Sequence, residues 1–330
     1  MQAMDKESKK VRWGIVSTGR ITHQFASDFE FVPNGEILAV ASRSQESADK
    51  FAMQYGLPRA YSSYDALLKD PDIDAVYVAT PHTLHYQNAA DAIAAGKHVL
   101  CEKPLTVGAG DSRRLFHLAG QSSVFIMEAM WTYFLPAIKK AQEWVGQGRI
   151  GRLRQVKADF GYPLLPYSPD RREFNAELGG GCLLEMGIYP VALAWLFMQL
   201  EPENIHAVAH KAPNGVEDDV TIVFEYGGQA DGAVATLGTS FRSKLQNSAY
   251  IIGEEGYISI PDFWRAGECS LYHLDTRIDH FLDDRSSLGF NYETVAANDD
   301  ILAGRQQNSI MPWASSLRFQ EHMSRIKALF

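Results

Sequence analysis

Between Val11 and Ala129, short apolar runs alternate with stretches of helical spacing, and this constrains the fold more than any other feature of the chain. VRWGIVSTG, EILAVASR, DAVYVAT, KHVLCEKP and SVFIMEA read as five strands. Between them lie ITHQFASDFEFV, SQESADKFAMQYG, SYDALLKD, PHTLHYQNAADAIAAG and TVGAGDSRRLFHLAG, which read as helices. Serine starts, glycine stops and a proline in the first turn mark several of their ends. DAVYVAT is nearly all apolar, as a strand covered on both faces must be. Strands that alternate with helices make βαβ units and a parallel, doubly wound sheet.

The pattern changes near residue 130. The helical run LPAIKKAQEWVGQG leads to the strand LRQVKADFGY and then to an irregular loop with three prolines, YPLLPYSPDRREF. A Gly-rich apolar helix follows over 179–200. Beyond it IHAVAHK, DVTIVFEY, ADGAVATLGTS and SAYIIGEEGYISI read as strands, and PWASSLRFQEHMSRIKALF as a closing amphipathic helix. The expectation is an α/β chain of two domains. Residues 1–128 form a dinucleotide-binding Rossmann domain, with 1–10 a disordered tail. Residues 129–330 form an α+β domain on a mostly antiparallel open sheet, which binds substrate and dimerises. One face of that sheet lacks helices to cover it, and an exposed apolar face marks an interface. A homodimer through the sheet is therefore expected.

Bulk properties narrow the partners. With 330 residues, 46% hydrophobic and 22% charged, the chain can bury a sizeable core. A formal net charge of -9 and no long basic run argue against nucleic acid and anionic membrane. Cys101, Cys182 and Cys269 form no CxxC and no zinc spacing, so a reducing cytoplasm fits and no metal site is expected. The polar start MQAMDKESKK lacks a signal peptide's apolar core. CLLEMGIYPVALAWLFMQL, residues 182–200, approaches membrane-spanning length but holds Gly187 and Pro190 and lacks basic flanks. A buried core helix is the better reading.

Four places carry chemistry. A dinucleotide turn wants GxGxxG, which lets the backbone approach a pyrophosphate at a helix N-terminus. Here those positions are Ser17, Gly19 and Thr22, so only the central glycine is present. The second strand ends in Ser42-Arg43-Ser44, where an arginine with hydroxyl neighbours suits a 2′-phosphate and an acid would suit a ribose hydroxyl. This favours NADP(H), with NAD(H) as the alternative. HTLH, with His82 and His85, follows the third strand, where cofactor contact fits better than a metal with no further ligands. In CEKPL, Pro104 restricts Lys103 to an extended conformation at the carboxyl edge of the sheet and aims its ammonium. An ordinary surface ion pair of Glu102 is the plain alternative. Finally, Glu185 is the only charge in a 19-residue apolar run and shares a helix face with Tyr189. An unpaired buried carboxylate is costly, so Glu185 needs a partner or a task. An ammonium near Tyr189 would make its phenol a usable acid/base near neutral pH. A tyrosine without such a neighbour would be a core residue.

GIVSTGRI, SYDALLKDPDIDAVYVATPHTLH, AAGKHVLCEKPL, MEAMWTYFLPA, GRIGRLRQVKADFG and GGGCLLEMGIYPV, in that order, resemble the glucose-fructose oxidoreductase/inositol dehydrogenase (Gfo/Idh/MocA) superfamily. The likeness is to its dimeric dihydrodiol dehydrogenase and NADP-dependent D-xylose dehydrogenase branch, and runs from about Val11 to the last helix. The resemblance implies that Lys103 lies beside the nicotinamide and is catalytic. It puts Tyr189 where many members have the histidine of DxGxH, and Glu185 where they have the aspartate. It implies a cofactor set of Ser17, Thr18, Gly19, Arg20, Ile21, Ser42, Arg43, Thr80, Pro81, His82, His85, Glu102 and Lys103. It implies substrate contacts from Trp131, Phe160 and Tyr133, the last standing where the branch has arginine. Ser47 replaces a second arginine typical of the NADP-selecting pattern. The activity implied is hydride exchange between NADP(H) and a secondary alcohol or carbonyl of a small polyol, sugar or diol. The alternatives are a sugar reductase or dehydrogenase acting at an anomeric or keto carbon, and a catalytically silent NADP-binding regulator.

Overall fold

The computed structural model describes residues 9–228 and 231–330. Most of the expected N-terminal tail, residues 1–8, and Ala230, which opens one expected strand, lie outside the described residues. The chain forms two compact units.

The first unit runs to Leu105 and adds Gly110–Met130 and Ser287–Trp313. Its strands are β1 (Val11–Val16), β2 (Gly35–Ala41), β3 (Arg59–Tyr61), β4 (Ala75–Val78), β5 (His98–Glu102) and β6 (Ile126–Ala129). They pair in parallel in the order β3-β2-β1-β4-β5-β6. The connecting helices are α1 (Arg20–Ser27), α2 (Gln45–Tyr55), α3 (Tyr64–Leu68), α4 (His85–Ala94) and α5 (Ala109–Ser122). The strand order reverses between β1 and β4, so their carboxyl ends flank the crevice where such sheets take ligands. All four residues of β4 are buried, as its unbroken apolar run requires. β3 has only three residues, too few for a periodic signal, and was not expected as a strand.

Ser287–Trp313 joins this unit, whereas the sequence reading had placed it in the second domain. The reason is side-chain chemistry across a long loop. The buried Asp28 carboxylate accepts from the backbone N–H groups of Leu288, Gly289 and Phe290, each at 2.8 Å, and so caps α8 (Phe290–Leu302). Trp13 donates through its indole N–H to Asn298 at 2.9 Å, and Trp313 stacks on Phe116 with ring centroids 5.1 Å apart.

The second unit comprises Thr106–Ala109, Trp131–Ser286 and Ala314–Phe330. Its eight strands are β7 (Leu153–Gly161), β8 (Asn204–Lys211), β9 (Glu217–Glu225), β10 (Val234–Ser240), β11 (Ser248–Gly253), β12 (Tyr257–Pro261), β13 (Glu268–His273) and β14 (Thr276–Leu282). Their order is β14-β13-β12-β11-β7-β10-β9-β8, antiparallel except for the pair β7 and β10. α6 (Pro136–Gly146), α7 (Ile188–Met198) and most of α9 (Trp313–Lys327) complete it. The inward residues Val156, Ala158, Leu237 and Ile251 are buried, as period-two alternation demands. The other face stays at the surface and carries Lys157, Thr221, Thr236, Ser248 and Tyr250 around a shallow depression. That face is mixed in polarity, not the apolar sheet expected. The helical run Ala176–Met198 is apolar enough to cross a membrane, but 89% of its most apolar window is buried in the protein, as in a core helix.

Candidate active site

At the crevice of the first unit, the turn after β1 holds Ser17 at φ 112°, a conformation that favours glycine. Its hydroxyl accepts the Gly19 N–H at 3.2 Å, which partly offsets the strain. Gly19 is the N-cap of α1 and gives it no side-chain cap. A Cβ there would meet nothing nearer than 3.4 Å, so packing within the chain does not demand glycine. What glycine leaves is bare backbone at a helix N-terminus, which fits a pyrophosphate. Arg20 is exposed and Ile21 half-buried in the first turn of α1. At the end of β2, Ser42 is buried and donates its N–H to the Tyr61 carbonyl at 3.0 Å, while Thr18 reaches the Ser42 hydroxyl at 3.3 Å. Arg43 is exposed beside them. The residues present fit a dinucleotide.

The Lys103 turn is braced from three sides. Tyr77 donates to Glu102 at 2.5 Å, and stacks on Phe25 with centroids 3.7 Å apart. Glu102 is 8% exposed and also accepts the Lys103 N–H at 3.2 Å. Its burial makes it a brace within the turn and not a solvated surface group. The ring of His85 reaches the Thr80 and Pro104 carbonyls, each at 2.8 Å, and ties the end of β4 to the turn. His85 is fully buried, so it shapes the crevice through these carbonyls. Thr80 and His82 are buried and Pro81 half-buried at the same strand end. Glu128 accepts the Leu105 N–H at 2.8 Å. The Lys103-Pro104 peptide is cis. Glu102, Pro104 and Leu105 are buried, and only Lys103 of the four stays half-exposed. Behind this turn lies Glu293 of α8, fully buried, with neither carboxyl oxygen hydrogen-bonded. Burial first, and the charge of Glu102 second, hold its carboxyl well above the usual carboxylate range.

In the second unit, the turn before α7 is π-helical over Leu183–Gly187, a widening often found at functional sites. Gly187 permits it: a Cβ would come within 3.1 Å of both Leu183 and Thr239. Thr239 of β10 pins the turn by donating to the Cys182 carbonyl at 3.2 Å. Pro190, which has no N–H to give, follows closely on this π-helical turn in one continuous helical run. Tyr189, just before it, is 8% exposed. The Trp131 indole N–H donates to its hydroxyl oxygen at 3.1 Å. Phe160 packs its ring edge to face with Tyr189 at 5.4 Å and stacks on Trp264 at 4.2 Å. Thr132 holds the Trp264 carbonyl at 2.7 Å. The result is an aromatic wall around one phenol. Glu185 accepts from Arg172 at 2.9 Å, the partner its solitary charge required.

Tyr133 lies elsewhere than expected. It is 1% exposed, donates to the Ala192 carbonyl at 2.6 Å and packs edge to face on Phe319 at 5.9 Å. It anchors α7 from inside the core. Trp264, Arg172 and Glu293 were not anticipated. Their neighbours in the chain carry no signal, because each acquires its role from residues 13 or more positions away.

The family described as "Oxidoreductase family, NAD-binding Rossmann fold" matches residues 11–130, and the GFO/IDH/MocA C-terminal domain matches residues 138–259. The trans-1,2-dihydrobenzene-1,2-diol dehydrogenase of Mus musculus is 39% identical over 261 residues, 78% of this chain and 77% of that protein. The enzyme of the same name from Xenopus laevis is 33% identical over 314 residues, 92% of this chain and 93% of the other. Among solved structures, a 3-ketoreductase from Actinomadura kijaniata with NADP and TDP-benzene superposes with a TM-score of 0.85 at 26% identity, covering 97% of this chain and 98% of that one. An aldose-aldose oxidoreductase from Caulobacter crescentus shares the fold, with a TM-score of 0.88 at 24% identity over 97% of both chains. The chain is an NAD(P)-dependent dehydrogenase or reductase and belongs to the GFO/IDH/MocA oxidoreductase family.

Proposed function

We propose that this protein uses NADP(H) to interconvert a secondary alcohol and a carbonyl on a diol, sugar or cyclitol, with Tyr189 and Lys103 as the acid/base pair. The observation that carries the reading is the environment of Tyr189. Its phenol receives an indole N–H and stands among Trp131, Phe160 and Trp264. A bound nicotinamide cofactor supplies hydride transfer to or from the substrate carbon. Tyr189 takes or returns the proton on the reacting oxygen. Lys103, the uncovered residue of a braced turn, stabilises negative charge on that oxygen. Glu185 orients the substrate, and Trp131 and Phe160 wall it. Residues up to about 130 hold the cofactor, with Ser17, Thr18, Gly19, Arg20 and Ile21 at the pyrophosphate and Ser42 and Arg43 at the 2′-phosphate. Thr80, Pro81 and His82 line the nicotinamide end, while His85 and Glu102 brace it.

Likeness to curated dihydrodiol dehydrogenases favours a cyclic trans-diol. The aromatic wall suits a flat apolar ring beside the hydroxyls. The alternative, reduction at a keto carbon of a sugar, draws on the likeness to the 3-ketoreductase. A panel of trans-diols, cyclitols and aldoses, with a matching set of keto sugars, followed by NADPH absorbance, separates the two. Turnover of none of them overturns the proposal. We place the protein in the cytoplasm, supported by three buried free cysteines whose thiols burial holds in the protonated form. We also propose a homodimer through the mixed sheet face, where Tyr250, Tyr257 and Tyr272 form a row with centroids 6.3 and 4.8 Å apart.

A further inference from the structure

Arg172 belongs to the irregular loop after β7, where the sequence shows neither period nor motif. The fold nevertheless fixes it. Phe174, two residues on, is 1% exposed and packs against Tyr167 and Phe241 at 5.1 and 5.5 Å. Its carbonyl accepts from the Asn214 amide at 2.6 Å, and the Glu173 carbonyl accepts the Gly181 N–H at 2.9 Å. The segment carrying Arg172 is thus stapled to the glycine loop that opens the Tyr189 turn.

From this anchored position Arg172 donates to Glu185 Oε1 at 2.9 Å. The two side chains are only 34% and 22% exposed, so solvent screens the pair less than one on an open surface. Burial opposes the charge on Arg172, and the nearby carboxylates of Glu185 and Glu173 outweigh it. Arg171 sits 3.8 Å from Glu173 and so balances that neighbour. Glu185 itself lies one turn before Tyr189 on the same run.

We propose that Arg172 is a positioning residue that holds Glu185 as a hydrogen-bond acceptor for a second hydroxyl, on the carbon next to the one Tyr189 serves. The pair thereby selects 1,2-diols and polyols over mono-alcohols. The inference rests on Tyr189 being the acid/base. A carboxylate is an acceptor only, so it recognises a hydroxyl and gives nothing to a C–H in its place. The 2.9 Å hydrogen bond and ion pair with Arg172 hold the carboxylate in place. A site built to bind a hydroxyl discriminates strongly against an analogue that lacks it.

The test compares trans-1,2-cyclohexanediol with cyclohexanol as NADP-linked substrates, for the wild type and for Arg172→Met, Arg172→Lys and Glu185→Gln. Arg172→Met should lower the diol-to-alcohol ratio of kcat/KM by about ten- to hundredfold, the range of one charge-assisted hydrogen bond, with the loss mainly in the KM for the diol. Arg172→Lys should restore part of the ratio. Glu185→Gln should lose as much, and Arg172→Met with Glu185→Gln no more than either alone. Melting curves separate these effects from a loss of fold, since a merely structural role lowers stability and both substrates together. A wild type that favours the diol while Arg172→Met keeps that ratio overturns this inference alone. A wild type that oxidises neither substrate overturns the inference, and one that also turns over nothing in the wider panel of diols, cyclitols and sugars overturns the proposed function with it.

Discussion

Replacing Tyr189 by phenylalanine removes one oxygen, to which the proposed function gives one task and the structure another. As the proposed acid/base it would account for about 10²–10⁴-fold in rate. As acceptor it satisfies the Trp131 indole N–H at 3.1 Å in a residue 8% exposed. A buried donor left unpaired costs about 1–3 kcal/mol. In a domain of about 150–250 residues that lowers the melting temperature by roughly 2–4 °C per kcal/mol. Tyr189→Phe should therefore lose turnover by two to four decades, on the order of the acid/base factor, and melt several degrees lower while still binding NADPH. The assay pairs NADPH absorbance kinetics over a pH series with differential scanning calorimetry. The basic limb of the pH profile for alcohol oxidation should move or vanish. Trp131→Phe supplies the control: the double variant should be little less stable than Tyr189→Phe alone, because the lost hydrogen bond is shared. Lys103→Met should not multiply the kinetic loss, since the two residues act as one unit. Near-native turnover with an unchanged basic limb in Tyr189→Phe would refute the reasoning and make Tyr189 a packing residue.

Three further outcomes are expected. Arg43→Ala should weaken NADP binding by about tenfold or more and leave NAD nearly untouched, as fluorescence titration of the free enzyme would show, because a guanidinium contributes on the order of 1.5–3 kcal/mol to a phosphate contact; equal losses for both cofactors would sink that assignment. Glu293 has its pKa raised by burial, so its contribution to stability is complete below the unfolded value near about 4.3 and is lost as pH rises toward the folded value. Glu293→Gln should consequently gain melting temperature over the wild type on going from about pH 5 to about pH 9, and parallel curves would mean that the carboxyl is not held protonated. Light scattering at micromolar concentration should give the mass of two chains, and a Tyr257→Arg variant on the open sheet face should shift it toward one; a wild-type mass of one chain refutes the dimer.

Much of the fold is legible in the sequence because it is written locally. An unbroken apolar run such as AVYV at β4 can only be a strand covered on both faces, and its alternation with helices dictates a parallel sheet. The lone Gly19 before α1, Arg43 after β2 and Lys103 after β5 are likewise tied to strand ends by their place in the chain. So is the solitary charge of Glu185, which announced that it needed a partner without saying which. Tertiary structure supplied what depends on residues far apart. Asp28 reaches a helix 260 residues later and draws Ser287–Trp313 into the first unit. His85 turns out to be a brace because two carbonyls from separate strand ends converge on it. Tyr133 is drawn into the core by the Ala192 carbonyl, while Trp264 enters the aromatic wall from between two late strands. Arg172, in a loop without periodicity, finds Glu185 only when Phe174 is buried and the glycine loop closes over it. Periodicity encodes which face of an element is buried, and it is silent about which distant atom an isolated polar group will meet, since that is set by how the elements pack.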